Sequence, residues 1–178
     1  MKVNLNEKNI GLVKILNNDF GEFLIDANIF IPPDRSGENT NIKPVTFKYY
    51  KENWLIPFIE VFKPVGIHEA VYEEFKTNTV RSFINEQLNN PIPGVCIYED
   101  SKLTYEESII RVTIEEAIAK NTNYKPTFNN RDDKGEVKSL AYIATKSLLY
   151  FCSHDANAIR LIKHAEKLDT CLESVSTI

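Results

Sequence analysis

The chain has 178 residues, a net charge of −4 and 43% hydrophobic residues, which favours one soluble globular domain and excludes an intrinsically disordered chain. No apolar run approaches the roughly 20 residues of a membrane-spanning helix, and the first residues lack the apolar segment of a signal peptide. The acidic balance argues against a sequence-specific DNA-binding module, while a nuclease with metal-neutralised carboxylates remains compatible. Three widely spaced cysteines predict free thiols in a reducing, cytoplasmic compartment.

The first half of the chain predicts two short strands and a helical insertion between them. The run FLID at 23–26 is typical of a buried strand that ends in a carboxylate. Residues 32–63 begin with a proline-containing loop and then carry aromatic side chains at helical spacing, which predicts a core-facing stripe that Pro57 kinks or restarts. A second strand is predicted at 64–67 and a helix at 68–88.

The second half continues the alternation of apolar strands and helices. The predicted elements are a strand at 95–98, a helix at 104–121, a loop at 129–135, a helix at 136–148, a strand at 149–153, a helix at 156–166 and a last strand in the tail. This alternation favours an α/β fold with a central parallel sheet, flanking helices and right-handed crossovers. A single domain over residues 1–178 is the simplest interpretation, because no long-period repeat interrupts the pattern.

Acidic residues recur where parallel sheets bind ligands, outside the carboxyl ends of their strands. Asp26 ends the first strand, and Asp155 follows the strand at 149–153. Further candidates lie after the second strand and before the strand of Asp155: Glu69, Glu73, Glu74, Asp132, Asp133 and Glu136. Carboxylates gathered at one edge repel each other unless cations bind or protons are shared, and hard oxygen ligands suit Mg²⁺ or Mn²⁺. For any single carboxylate, a helix cap or a solvated surface position is the alternative.

Other catalytic patterns find no support. The chain has no GxSxG, no P-loop and no GxGxxG, and its three histidines lack zinc-binding spacing. Cys152 and His154 are close in sequence, but Cys152 lies inside an apolar run and is better explained as a buried strand residue.

Four segments in order, FLIDANIFI, GIHEAVYEEF, DDKGEVKSLAYIATK and YFCSHDANAIRLI, resemble the PIN-domain nucleases over most of residues 22–165. The resemblance implies a three-layer α/β/α fold with a central parallel sheet flanked by helices. It also implies a metal-dependent endonuclease that uses Mg²⁺ or Mn²⁺ to hydrolyse RNA and, less often, DNA. Many PIN proteins are toxins of bacterial toxin–antitoxin pairs, which implies a possible antitoxin partner.

The resemblance assigns roles to individual residues. The catalytic, metal-binding carboxylates are Asp26, Glu74, Glu136 and Asp155, with Glu73 and Asp133 as alternates, and Asn28 takes a position that supports the first aspartate. Ser153 and Asn157 are further supporting candidates, although Asn157 has no firm counterpart in the family. A GE pair that opens a helix is typical of one PIN subgroup, and Glu136 takes that place. Lys138 departs from the pattern, because that subgroup commonly has another acid two residues after the glutamate.

Three basic residues near the predicted site in sequence are phosphate-binding candidates, with solvated surface positions as the alternative: Lys134, Lys138 and Arg160. Two functions stay open: an active endoribonuclease, and a PIN-like scaffold that has lost catalysis and binds nucleic acid or a protein. A receiver-like domain fits less well, because FLIDAN offers a single acid. The amino-terminal twenty residues and the insertion at 32–63 are candidates for antitoxin binding, homodimer formation or an extended core.

Overall fold

The computed structural model describes residues 21–32 and 44–177, and its frame is a parallel sheet. The five strands are β1 Leu24–Ile25, β2 Val65–His68, β3 Val95–Tyr98, β4 Tyr150–Cys152 and β5 Ser176–Thr177. Their order across the sheet is β3-β2-β1-β4-β5, and every neighbouring pair is parallel. The predicted α/β fold with a parallel sheet is therefore confirmed, and β1 lies between β2 and β4. The first twenty residues and the start of the predicted insertion lie outside the described residues.

Helices join the strands and cover both faces of the sheet, an arrangement compatible with a three-layer α/β/α fold. The first, α1, is made of Phe47–Tyr50, a π-helical stretch Lys51–Leu55, and Ile56–Phe62. The others are α2 Glu69–Glu74, α3 Asn78–Leu88, α4 Tyr105–Ala119, α5 Lys134–Thr145, α6 Ala156–Lys163 and α7 Ala165–Leu168. In the described part of the chain, no helix is both long enough and apolar enough to cross a membrane.

The sheet separates two apolar cores, because successive strand side chains point to opposite faces. Ile25 of β1 and Ile67 of β2 pack with α1 and α3 on one face. Leu24 of β1 and Phe151 of β4 pack with α4, α5 and α6 on the other. Burial on both faces explains why these strands are continuous apolar runs in the sequence.

The helix predicted at 68–88 is divided into α2 and α3. The break occurs at Phe75, whose backbone is extended (φ −68°, ψ 93°) and whose ring is buried against Phe30 with centroids 5.5 Å apart. Burying this ring turns the chain out of the helix. Glu74 is therefore the last residue of α2, and not a residue in the middle of a long helix.

The aromatic stripe of α1 differs from the expected core face. The rings of Tyr50, Trp54 and Phe58 stack in sequence, with centroids 5.2 and 5.0 Å apart, yet Trp54 remains 39% exposed. The residues that α1 buries are Leu55 and Ile59. The i→i+5 turns of the π-helical stretch rotate the side chains relative to a regular helix, which places the stripe along the border of the core.

Candidate functional site

Asp26 lies at the carboxyl end of β1, with only 8% of its surface exposed. Its backbone N–H donates to the carbonyl of Cys152 at 3.0 Å, so the pairing of β1 with β4 continues to this residue. One carboxylate oxygen, Oδ1, accepts the N–H of Ala27 at 2.7 Å, and Oδ2 accepts the hydroxyl of Ser153 at 2.9 Å. Burial raises the pKa of Asp26, and the charge of Asp155 adds to the rise, while these two hydrogen bonds oppose it.

Ser153 connects Asp26 to Asp155. Its hydroxyl donates to Asp26 and accepts the backbone N–H of Asp155 at 3.0 Å and the Asn28 side-chain amide at 3.2 Å. This uses the one donor and both acceptor positions of the hydroxyl group. Asp155 is exposed and caps α6 by accepting the N–H of Asn157 at 2.7 Å. The two aspartates that end apolar strands in the sequence thus lie at the same edge of the sheet.

Glu136 lies in the first turn of α5 and is 7% exposed. Its Oε1 accepts the side-chain amide of Asn157 at 2.9 Å. Burial and the charges of Asp155, Asp26 and Asp133 raise the pKa of Glu136 to about 8. At neutral pH this carboxyl group therefore holds a proton unless a cation comes close.

Glu74 completes the predicted set from the end of α2. Its Oε1 accepts the N–H of Gly135 at 2.9 Å. A Cβ atom at position 135 would overlap the Glu74 carboxylate, so the glycine before Glu136 permits this close approach. Glu74 is exposed as a residue, but partial burial of its carboxyl group, together with Asp26, raises the pKa of Glu74. We name Asp26, Glu74, Glu136 and Asp155 the carboxylate cluster.

The two alternates lie outside this cluster. Glu73 is exposed and forms an ion pair with Lys134, with Nζ and Oε2 3.1 Å apart. Asp133 precedes α5 with a left-handed backbone (φ 55°), and its Oδ2 accepts the N–H of Asn123 at 2.8 Å. Asp133 thus holds the loop before α5, although its charge still contributes to the high pKa of Glu136.

The three predicted phosphate-binding residues have partners of other kinds. Lys134 pairs with Glu73, as above, and Arg160 donates to Asn157 Oδ1 at 2.7 Å and to the Asn121 carbonyl at 2.8 Å. Lys138 points away from the carboxylate cluster, toward a second group of charges. Among the residues that the structure describes, no lysine or arginine forms an ion pair with any member of the carboxylate cluster.

The carboxylate cluster offers donors of the type that a hard divalent cation prefers, but no three of its carboxylates have oxygen donors within 4.8 Å of one another in the part of the chain that the structure describes. All four groups offer carboxylate oxygens, which Mg²⁺ and Mn²⁺ prefer. Asn28 adds a buried side-chain oxygen, Oδ1, that has no hydrogen-bond partner within the described residues. A buried acceptor without a partner is uncommon, and it lies next to Ser153 and Asp26. Burial is the main cause of the raised pKa values of Asp26, Glu74 and Glu136, and neighbouring carboxylates add to the rise, while Lys134 and Lys76 partly oppose it at Glu74.

A second polar group lies at the carboxyl ends of β2 and β3, and the sequence interpretation missed it. We name it the ion-pair cluster; its members are His68, Glu69, Asp100, Arg111, Glu115 and Lys138. Asp100 Oδ2 is 2.7 Å from Arg111 Nη2 and 3.8 Å from Lys138 Nζ, and Lys138 Nζ is 3.5 Å from Glu115 Oε1. Asp100 follows the strand VCIY by one residue, so the rule that selected Asp26 and Asp155 also applies to it.

Within residues 21–32 and 44–177, His68, Glu69 and Asp100 are the potential ligands whose donor atoms all lie within 4.8 Å of one another. His68 Nδ1 accepts the N–H of Ala70 at 3.1 Å, so the ring proton is on Nε2, which donates to Asp100 Oδ1 at 3.1 Å. A ring nitrogen that carries a proton does not ligate a metal. Because Arg111 and Lys138 also neutralise the carboxylates, we interpret this group as an internal ion-pair network.

No protein-family model, no curated protein and no solved structure matches the chain. The function must therefore be argued from the chemistry of the carboxylate cluster.

Proposed function

We propose that this protein is a metal-dependent endonuclease that hydrolyses RNA phosphodiester bonds, with Mg²⁺ or Mn²⁺ as its cofactor. The observation that carries the proposal is the carboxylate cluster, four acids at the carboxyl edge of a parallel sheet, none of which forms an ion pair with a lysine or arginine among the described residues. The resemblance of the four acidic segments to PIN-domain nucleases supports the same function. A role as the toxin of a toxin–antitoxin pair extends this proposal and depends on the resemblance.

Each acid has a distinct part in holding the cation. Asp26 and Glu136 are the buried ligands, and Ser153 and Asn157 orient them through single hydrogen bonds. Asp155 lies at the exposed side, where an RNA phosphate can approach. The bound cation supplies Lewis-acid activation of water and stabilises the negative charge that develops on phosphate oxygens.

Glu136 links cation binding to proton release. Its pKa of about 8 means that the carboxyl group must lose a proton before it binds a cation. Cation affinity is therefore expected to rise with pH up to about 8, the pKa of Glu136.

Two features of the sequence keep open the alternative function, a binding module without catalysis: the lysine at position 138 and the non-basic charge balance. Lys138 Nζ lies 3.8 Å from Asp100 and 3.5 Å from Glu115, in the ion-pair cluster. It does not form an ion pair with the carboxylate cluster, so it gives no reason to expect a loss of cation binding. We therefore favour the active enzyme.

The decisive experiment measures cleavage of a labelled RNA with millimolar Mn²⁺. We expect Asp26→Asn to lower the rate by at least about 10³-fold, because it removes a buried charged ligand of the cation. Glu116→Gln, which changes an exposed acid on α4, should leave the rate unchanged. Full activity of Asp26→Asn, or full activity of the parent protein in excess EDTA, would refute the proposal.

A further inference from the structure

The loop between α4 and α5, residues 120–133, carries an aromatic ring at its tip. Phe128 exposes 83% of its surface, the largest exposed fraction of any large hydrophobic residue in the described chain. The tip is a tight turn, in which the N–H groups of Phe128 and Asn129 donate to the Lys125 carbonyl at 3.0 and 2.9 Å. The ring is therefore presented to solvent by a defined backbone.

Side chains of the loop itself hold this turn in place. Asn130 accepts the N–H of Lys125 at 2.6 Å through Oδ1 and donates to the Asn123 carbonyl at 3.1 Å through Nδ2. The ring of Tyr124 is 1% exposed, and its hydroxyl donates to Asn129 Oδ1 at 3.2 Å. A loop that is ordered before binding loses little conformational entropy when a ligand arrives. Phe128 is therefore exposed to solvent on a loop whose backbone is held by hydrogen bonds.

Both ends of the loop connect to the carboxylate cluster. The Asn121 carbonyl accepts Arg160, which also donates to Asn157, and Asn157 in turn donates to Glu136. At the other end, Asp133 lies close enough to contribute to the raised pKa of Glu136. Phe128 lies five positions before Asp133, which limits their Cα–Cα distance to about 18 Å. The ring is therefore within a few nucleotides of the proposed site.

Three exposed basic residues flank the ring: Lys120, Lys125 and Arg131. None of them forms an ion pair with any residue that the structure describes. The loop also carries Asp132 and Asp133, so its three basic and two acidic residues give it a formal charge of +1, against −4 for the whole chain. An aromatic face with flanking cations is the combination that binds single-stranded nucleic acid, by stacking on a base and contacting phosphates.

We propose that the α4–α5 loop binds single-stranded RNA, with one unpaired base stacked on Phe128 and phosphates contacted by Lys125 and Arg131. This inference rests on the proposed nuclease function and specifies the form of RNA that the same site takes. A paired base presents no free face to the ring, so duplex RNA should be a poor substrate.

The test measures binding of a fluorescent single-stranded RNA by anisotropy, with every variant made in the Asp26→Asn background so that the RNA stays intact. Phe128→Ala should weaken binding about tenfold or more, which is the range for loss of one stacked base, and Phe128→Trp should retain it. Tyr105→Ala is the matched control, because Tyr105 is another aromatic residue with 78% exposure, on α4. It should leave binding unchanged.

Abasic substitution identifies the stacked base. Removing the stacked base at one abasic position should weaken RNA binding by the protein that retains Phe128. The same abasic RNA should bind Phe128→Ala about as well as the intact RNA does. Binding of Phe128→Ala equal to that of its background would overturn the inference, as would a change in oligomeric mass with unaltered RNA binding, which indicates a protein partner instead. If the parent still cleaves RNA, only the inference about the loop fails. If the parent neither binds nor cleaves RNA, the proposed function fails as well.

Discussion

The carboxylate cluster and the ion-pair cluster lie at the same edge of one parallel sheet, yet their charges are balanced in different ways. In the ion-pair cluster, Arg111 and Lys138 stand against Asp100 and Glu115. Burial alone would raise the pKa of Asp100, but the hydrogen bond from His68 and the nearby cations lower it. In the carboxylate cluster, burial and neighbouring acids raise the pKa of Glu136 to about 8.

This difference in charge balance indicates that the ion-pair cluster stabilises the fold, and it makes the carboxylate cluster the candidate for ligand binding. A buried acid whose charge is matched by side chains is satisfied once the chain has folded. A buried acid that meets only other acids destabilises the fold and is retained where binding or catalysis needs it. We propose that the same edge holds one structural and one functional group, and the following variants separate the two.

The largest expected loss of stability comes from Arg111→Met. This change leaves Glu115 buried and Asp100 half-buried without their main partner, which should lower the free energy of unfolding by about 3 kcal/mol. Urea unfolding measures it. Lys102→Met, which breaks an exposed pair with Glu99 at 3.3 Å, is the control and should change stability by less than about 1 kcal/mol. Equal effects of the two changes would contradict a structural role for the ion-pair cluster.

Gly135→Ala should have the opposite effect: it should lower the rate of RNA cleavage and leave stability nearly unchanged. The added Cβ displaces the Glu74 carboxylate, and misplacement of a ligand group by about 1 Å lowers rates roughly 10²-fold. Stability should fall little, because alanine favours the first turn of α5 by up to about 1 kcal/mol over glycine. RNA cleavage and urea unfolding, measured on the same preparation, check both parts. Wild-type cleavage by this variant would remove Glu74 from the site.

Glu136→Gln should stabilise the cation-free protein at alkaline pH. The pKa of Glu136 is about 8 in the folded chain and about 4.5 in the unfolded chain, so the unfolded state loses its proton first. Stability of the parent therefore falls as pH rises from about 4.5 to 8, and the glutamine variant escapes this loss. In EDTA we expect the variant to be more stable by on the order of 4 kcal/mol at pH 8, with no such gain at pH 4, because each unit of the pKa difference corresponds to about 1.4 kcal/mol. If the stability difference between Glu136→Gln and the parent did not change with pH, the raised pKa of Glu136 would be contradicted.

The smallest expected effect is that of Glu73→Gln. This change breaks the pair with Lys134, in which Glu73 is exposed, and should alter stability by less than about 0.5 kcal/mol. The cleavage rate should remain within a factor of two of the parent. A large loss of activity would place Glu73 in the site and would require a different register for α2.

The sequence predicted the parallel sheet and the position of Asp26 and Asp155 at one edge of it, because an acid after an apolar strand is a local signal. Asp26 and Asp155 could be placed on one edge without knowing a single contact. The division of the 68–88 helix was not predictable, since it depends on the packing of Phe75 against Phe30. Periodicity also gave no sign of the π-helical stretch in α1.

The ion-pair cluster was missed for a different reason. Its contacts join His68 to Asp100 across 32 positions and Lys138 to Asp100 across the whole of α4, and no local pattern specifies such pairs. Lys138 lies two residues after Glu136, so proximity in sequence suggested a shared site. On a helix, however, residues two apart do not face each other, and Lys138 points to the other cluster.

The central claim is that the carboxylate cluster binds a divalent cation and the ion-pair cluster does not. A crystal soaked in millimolar MnCl₂ at pH 8, with data collected at the manganese absorption edge, tests both halves in one anomalous difference map. We expect a manganese peak among Asp26, Glu136 and Asp155 and none beside His68 and Asp100. A peak at His68, Glu69 and Asp100, with none among the four acids of the carboxylate cluster, would contradict the account.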